Sequence, residues 1–197
     1  MTNPDAQAPF DRYDRRLGAF LRARLNARAS VARVLAGAAN TMSPAFRVLV
    51  AILILWRPTR RRGLRALVAA VLAALLAKRL RDDIARPRPG ARIEGGMPSR
   101  HAAAAVAIAS VLADRRRGTG LPLAVITALG LAGRLSTGEH DPADLVAGAL
   151  LGRGVARLVT RISAPRGTLR HRSVDARTAH GDSRHAPRRP WGCGSRR

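Results

Sequence analysis

The chain has 197 residues, enough for one domain, and 36 Lys and Arg against 12 Asp and Glu give a formal net charge of +24. Such a charge raises nucleic acid or an anionic membrane as a partner, but Lys78 is the only lysine, the Arg, Ala and Gly bias fits a codon-composition effect, and 3% aromatics offer little for base stacking. The single cysteine, Cys193, excludes an intramolecular disulfide and a Cys-based metal site.

Residues 1–9 read as a lead-in. Residues 10–25 follow a helical pattern, with Leu17, Phe20, Leu21 and Leu25 at helical spacing among arginines. This amphipathic helix either lies flat at a membrane interface or packs on the rest of the chain. The stretch 1–26 is charged throughout, which is not the pattern of a signal peptide. Residues 29–40 form a second, Ala-rich helical piece, and Thr41-Met42-Ser43-Pro44 predicts a turn.

Apolar helices are then predicted at residues 45–56, 64–80, 101–113, 121–135 and 143–159. Each is shorter than the roughly 20 apolar residues of a full span. Yet nearly all apolar content lies in these blocks, the connectors are strongly charged, and Ala-rich helices pack closely in lipid. The expected architecture is an all-α, polytopic transmembrane helix bundle of about five spans with an N-terminal amphipathic helix. The expected division is 1–40 for the N-terminal interfacial helices, 41–162 for the membrane domain and 163–197 for a basic, disordered tail. His171, His180 and His185 lie in that tail and read as spectators.

Polar islands stand at the ends of these apolar blocks. The first holds Arg81, Asp82, Asp83, Arg86, Arg88 and Pro89; the second is Pro98-Ser99-Arg100-His101. The third runs from Gly133-Arg134 through His140-Asp141-Pro142 to Asp144. Arginines cradle a phosphate with forked hydrogen bonds. One histidine can attack phosphorus while another protonates the leaving group. Ser99 is a natural N-cap, so His101 falls in the first turn of a helix whose N-terminus suits an anion. Asp141-Pro142 reads as an N-cap followed by Pro at the first helical position. That places His140 beside Asp144, which either orients the imidazole or complements the helix dipole. Asp82 and Asp83 are expected to pair with nearby arginines rather than hold a metal.

In these motifs the sequence resembles the type 2 phosphatidic acid phosphatase (PAP2) superfamily, whose signature is Lys-x6-Arg-Pro, Pro-Ser-Gly-His and Ser-Arg-x5-His-x3-Asp. Arg81-x6-Arg88-Pro89, Pro98-Ser99-Arg100-His101 and Gly133-Arg134-x5-His140-x3-Asp144 stand in those places. Arg81 replaces Lys, Arg100 replaces Gly, and Gly133 replaces Ser with the loss of one hydroxyl donor. The resemblance spans residues 64–159. It implies a membrane phosphatase acting on a lipid phosphate or diphosphate without a cofactor or metal. His140 would be the nucleophile, Asp144 its orienting partner and His101 the general acid. Arg81, Arg88, Ser99, Arg100 and Arg134 would bind phosphate, with Lys78 competing for the place of Arg81. Arg100 would take a second phosphate or a sugar, or face solvent.

Small size and an outward site lean towards polyprenyl-diphosphate phosphatases. A catalytically weak member serving as a membrane-binding or scaffold protein is the alternative reading; a nucleic-acid-binding protein and a vanadate-dependent haloperoxidase rank below it. Nucleic acid is therefore not an expected partner, whereas lipid phosphate and the membrane are. Alternating spans put all the islands on one side, and the Arg-rich connectors at 57–62 and 114–117 put the opposite side in the cytoplasm.

Overall fold

The computed structural model describes residues 4–84, 96–113 and 118–163. Arg86 and Arg88 of the first island, the 114–117 connector, and the tail from 164 with Cys193 and its histidines lie outside the described residues.

Helices make up the described part of the chain: α1 (Pro4–Leu25), α2 (Ala29–Leu55), a short 3-10 turn at Arg57–Thr59, α3 (Arg60–Ile84), α4 (Arg100–Leu112), α5 (Gly120–Ser136) and α6 (Pro142–Ile162). The predicted turn at Thr41–Pro44 is absent, because α2 runs unbroken through Pro44 and joins the two pieces expected to be separate. Proline deletes a single intrahelical donor, and neighbouring helices and hydroxyl side chains re-satisfy the backbone in such a setting. Packing settles the matter, since Leu35, Ala39, Met42, Phe46 and Val50 are buried as one stripe that crosses the proline. The Arg-rich 57–62 connector is also more ordered than expected, since α3 begins at Arg60.

The bundle is built with small residues inside and large ones outside. On α3, Ala66, Ala69, Ala73 and Ala77 are fully buried, while Leu67, Val71, Leu72, Leu75 and Leu76 are exposed. The same inversion continues on α5 with Ile126 and Leu129 and on α6 with Val146, Leu150 and Leu158. A water-soluble bundle would bury its Leu and Val side chains. A bundle solvated by lipid gains nothing by doing so and packs instead through small side chains. α2 is long and apolar enough by itself to cross a membrane. The protein is thus an all-α transmembrane helix bundle.

The contact between α4 and α6 uses this closeness most fully. Gly148, Gly152 and Ala156 repeat every fourth residue on α6 and are all buried. A Cβ at Gly152 would run into the carbonyl oxygen of Ala103, so α4 and α6 meet backbone to backbone.

The bundle has two distinct ends. At one, Arg62 donates to the Leu112 carbonyl at 2.8 Å and Arg65 to the Ser163 carbonyl at 2.7 Å. This gathers the start of α3 and the ends of α4 and α6. At the other, the Ser99 amide donates to the Asp144 carbonyl at 3.0 Å, and Asn26 Nδ2 donates to the Ser136 carbonyl at 3.0 Å. The second and third islands meet at this second end.

Candidate active site

His140, at the second end, is almost wholly enclosed, 1% exposed. It sits just before α6, where Asp141 and Asp144 form a reciprocal capping box with Pro142 at the first helical position. The Asp141 amide donates to Asp144 Oδ2 at 3.1 Å. The same oxygen lies 3.5 Å from His140 Nδ1. Asp144 thereby both caps α6 and faces the imidazole.

The other ring nitrogen, Nε2, lies 3.1 Å from Ser99 Oγ. Ser99 is fully buried and caps α4, its hydroxyl accepting from the Ala102 amide at 3.4 Å. In the tautomer with its proton on Nδ1, towards the Asp144 carboxylate, Nε2 would carry its lone pair towards the N-terminus of α4. An anion held there would meet the positive backbone potential of the helix start.

The other described candidate residues stand on helices that pack beside α4 or α6. His101 is half-buried in the first turn of α4, within electrostatic reach of Arg134, Arg100, His140 and Glu139. Arg134 is buried at the end of α5, where it pairs with Glu139 and directs Nη2 to the Ala39 carbonyl at 3.5 Å. Glu139, next to His140, is an anchor for Arg134 that sequence reasoning passed over. Arg81 is buried in the last turn of α3, with Nε 3.7 Å from Asp82 Oδ1, whereas Lys78 is exposed. Burial thus favours Arg81 over Lys78 as the cation of the first island. Arg100 is exposed at the start of α4.

Gly133 has a packing cause. A Cβ there would run into the carbonyl oxygen of Leu35 and crowd Ala39 at 2.9 Å, so only glycine lets α5 lie on α2 at this level. The serine hydroxyl whose loss was expected to weaken phosphate binding has no room here.

Helix α1 contributes what the sequence did not announce. Asp14, Gly18, Arg22 and Asn26 are spaced four apart and form one face. Asp14, 4% exposed, accepts from the Ala143 amide at 3.0 Å, and Arg22 stands 3.6 Å from Asp141. Gly18 lets α1 approach Asp141 and Pro142. This face holds the start of α6, and with it His140 and Asp144. Of the two placements expected for the N-terminal helix, the structure shows it packed on the bundle. Asp14→Ala removes a buried bond to the first turn of α6. It is expected to cost about 1–2 kcal/mol of stability and to lower kcat with KM little changed. Thermal unfolding and steady-state kinetics on the same preparation check both.

The sequence of residues 62–167, more than half the chain, matches the PAP2 superfamily. The chain belongs to that superfamily. As a PAP2-type phosphatase it is an enzyme, and its fold recurs in two solved structures. One is LpxE from Aquifex aeolicus, with a TM-score of 0.62 at 22% identity, covering 73% of this chain and 93% of that one. The other is a transmembrane PAP2-type phosphatidylglycerolphosphate phosphatase from Bacillus subtilis, with a TM-score of 0.63 at 21% identity, covering 84% and 90%. At these identities the likeness is one of fold. No curated protein matches the sequence.

Proposed function

We propose that this PAP2 protein hydrolyses a lipid phosphate or diphosphate, leaning to a polyprenyl diphosphate, through a phosphohistidine on His140. The observation that carries this reading is the buried His140, its Nδ1 facing Asp144 and its Nε2 facing Ser99 at the start of α4. Nε2 attacks phosphorus, and the bond from phosphorus to the leaving oxygen breaks as His101 protonates that oxygen. Arg81, Arg88 and Arg134, with Ser99 and the first turn of α4, stabilise the charge on the equatorial oxygens. Water then attacks the phosphohistidine, gives a proton to His101, and releases orthophosphate. Membership of a phosphatase superfamily and the lipid-facing exterior support a lipid substrate, as does a structural neighbour whose own substrate is a lipid phosphate.

The test is orthophosphate release by purified, detergent-solubilised protein from a panel of phosphatidic acid, phosphatidylglycerol phosphate and polyprenyl mono- and diphosphates. Vanadate, which mimics five-coordinate phosphorus, is expected to inhibit. Binding of these lipids without phosphate release would sink the reading and favour the weak, scaffold-type member.

The proposed topology is multi-pass in the cell membrane, with the active site on the extracytoplasmic side. The end opposite the site carries Arg57, Arg60, Arg61, Arg62 and Arg65, and α6 ends there. The arginines of α1 lie at the site end and oppose this count, so a direct measurement decides. Thr137 and Arg61 are both exposed, at opposite ends of the bundle. With Cys193→Ser as background, Thr137→Cys is expected to react with an impermeant thiol reagent in intact cells and Arg61→Cys is not. The reverse labelling would turn the site to the cytoplasm.

A further inference from the structure

A cleft of about 560 Å³ opens between α2, α3 and α4. Its walls are apolar, with Phe46, Leu67 and Ile108 among them, and one end is lined by His101, Arg100, Arg47 and Ser43. The proposed general acid thus faces this cleft, which is the space the leaving group would occupy.

Arg47 is out of place for a structural residue. It lies inside α2, the helix apolar enough to span a membrane, where a charged side chain is costly and is retained beside a polar partner or pathway. Its Nε donates to the Ser43 carbonyl at 3.4 Å, so the guanidinium folds back along α2 towards the site end. The level of the site on α2 is fixed by Ala39, whose carbonyl receives Arg134. Ser43 is one turn beyond Ala39, about 6 Å along the axis. The Arg47 guanidinium therefore stands about one turn deeper than Arg134, beside the cleft rather than beside the nucleophile. Arg100 replaces the family's glycine and lines the same cleft from α4. Two guanidinium groups, one on each wall, with an apolar passage beyond them, complement an anionic phosphate attached to a long apolar chain.

We infer that Arg47 and Arg100 form a second phosphate subsite, which holds the lipid-side phosphate of a prenyl diphosphate while its chain lies in the cleft. This rests on the proposed reaction and specifies its substrate. His140 Nε2 bonds to the terminal phosphorus as the bridging P–O bond breaks. The bridging oxygen leaves on the lipid-side phosphate and takes its proton from His101. Arg47 and Arg100 bind that departing phosphate and stabilise the negative charge that develops on the bridging oxygen ahead of the proton. Water then cleaves the phosphohistidine, returning a proton to His101 and yielding orthophosphate and the prenyl monophosphate. A lipid monophosphate leaves as an alcohol and has nothing for these arginines to hold.

The experiment compares kcat/KM for farnesyl diphosphate and farnesyl monophosphate, both in detergent, using the full chain. The wild type is expected to favour the diphosphate. Arg47→Gln and Arg100→Gly are each expected to lower the diphosphate-to-monophosphate ratio by about tenfold or more, the effect of losing a charge-assisted hydrogen bond. Arg47→Lys, which keeps the charge, should hold the ratio within about threefold of the wild type. Both arginines are exposed, so the variants are expected to fold, and size-exclusion chromatography checks this. A ratio unmoved by Arg47→Gln, with both substrates hydrolysed, overturns the subsite and leaves the proposed reaction standing. No phosphate release from either substrate by the wild type removes the reaction, and the subsite with it.

Discussion

His140→Ala is expected to abolish turnover, with a fall in kcat on the order of 10⁴-fold or more, as when the nucleophile is removed from a covalent mechanism. The fold should survive the change. His140 touches the bundle through Ser99 and Asp144, while the cap of α6 rests on the Asp141 amide and Asp144, which the substitution leaves in place. The measurements are phosphate release and trapping of a phosphoprotein from a radiolabelled substrate by rapid quench at alkaline pH, where phosphohistidine survives. Wild-type protein should give an acid-labile labelled species and the variant none. Hydrolysis at an unchanged rate, or a label that withstands acid, would remove His140 from the role of nucleophile.

Much of this site was legible because its chemistry lies in short contiguous motifs at helix ends. Ser99 and Asp141-Pro142 carry their own capping signals, so the sequence located the starts of α4 and α6 and placed His101 and His140 relative to them. Three features were not legible, each for the same reason. Pro44 carries a local turn signal, and only the contacts of α2 with its neighbours override it: a Cβ at Gly130 would strike Met42, as one at Gly133 would strike Leu35. Gly133 read as a lost donor because the helix that fills the space lies some hundred residues away in sequence, on the order of the separation for which local pattern carries no information. Asp14, Gly18, Arg22 and Asn26 lie off the apolar spacing of Leu17, Phe20, Leu21 and Leu25, and nothing local separates a solvated face from one that holds another helix. The four-residue spacing that includes a glycine was the available hint. The Gly148-x3-Gly152 pair offered the same kind of hint for the α4–α6 contact.

Asp144→Asn is expected to lower kcat by about 10²-fold, the usual cost of losing the group that orients a histidine, while KM for the lipid changes little. The argument rests on the double duty of one oxygen, Asp144 Oδ2, which accepts from the Asp141 amide and faces His140 Nδ1. Asparagine can keep the cap by presenting its amide oxygen to Asp141. The same oxygen then faces Nδ1 as a neutral acceptor, so the tautomer is kept but the negative charge beside the imidazole is lost. The substitution thereby leaves the imidazolium formed on phosphoryl transfer without a facing carboxylate. Asp144→Ala loses the cap as well and should cost about 1 kcal/mol of stability in addition. Comparing the pair separates the two duties. A loss of activity in Asp144→Asn with an unchanged unfolding midpoint assigns the effect to the imidazole. Equal activity of Asp144→Asn and wild type would reduce Asp144 to a helix cap and leave His140 without an orienting partner, against the proposed mechanism.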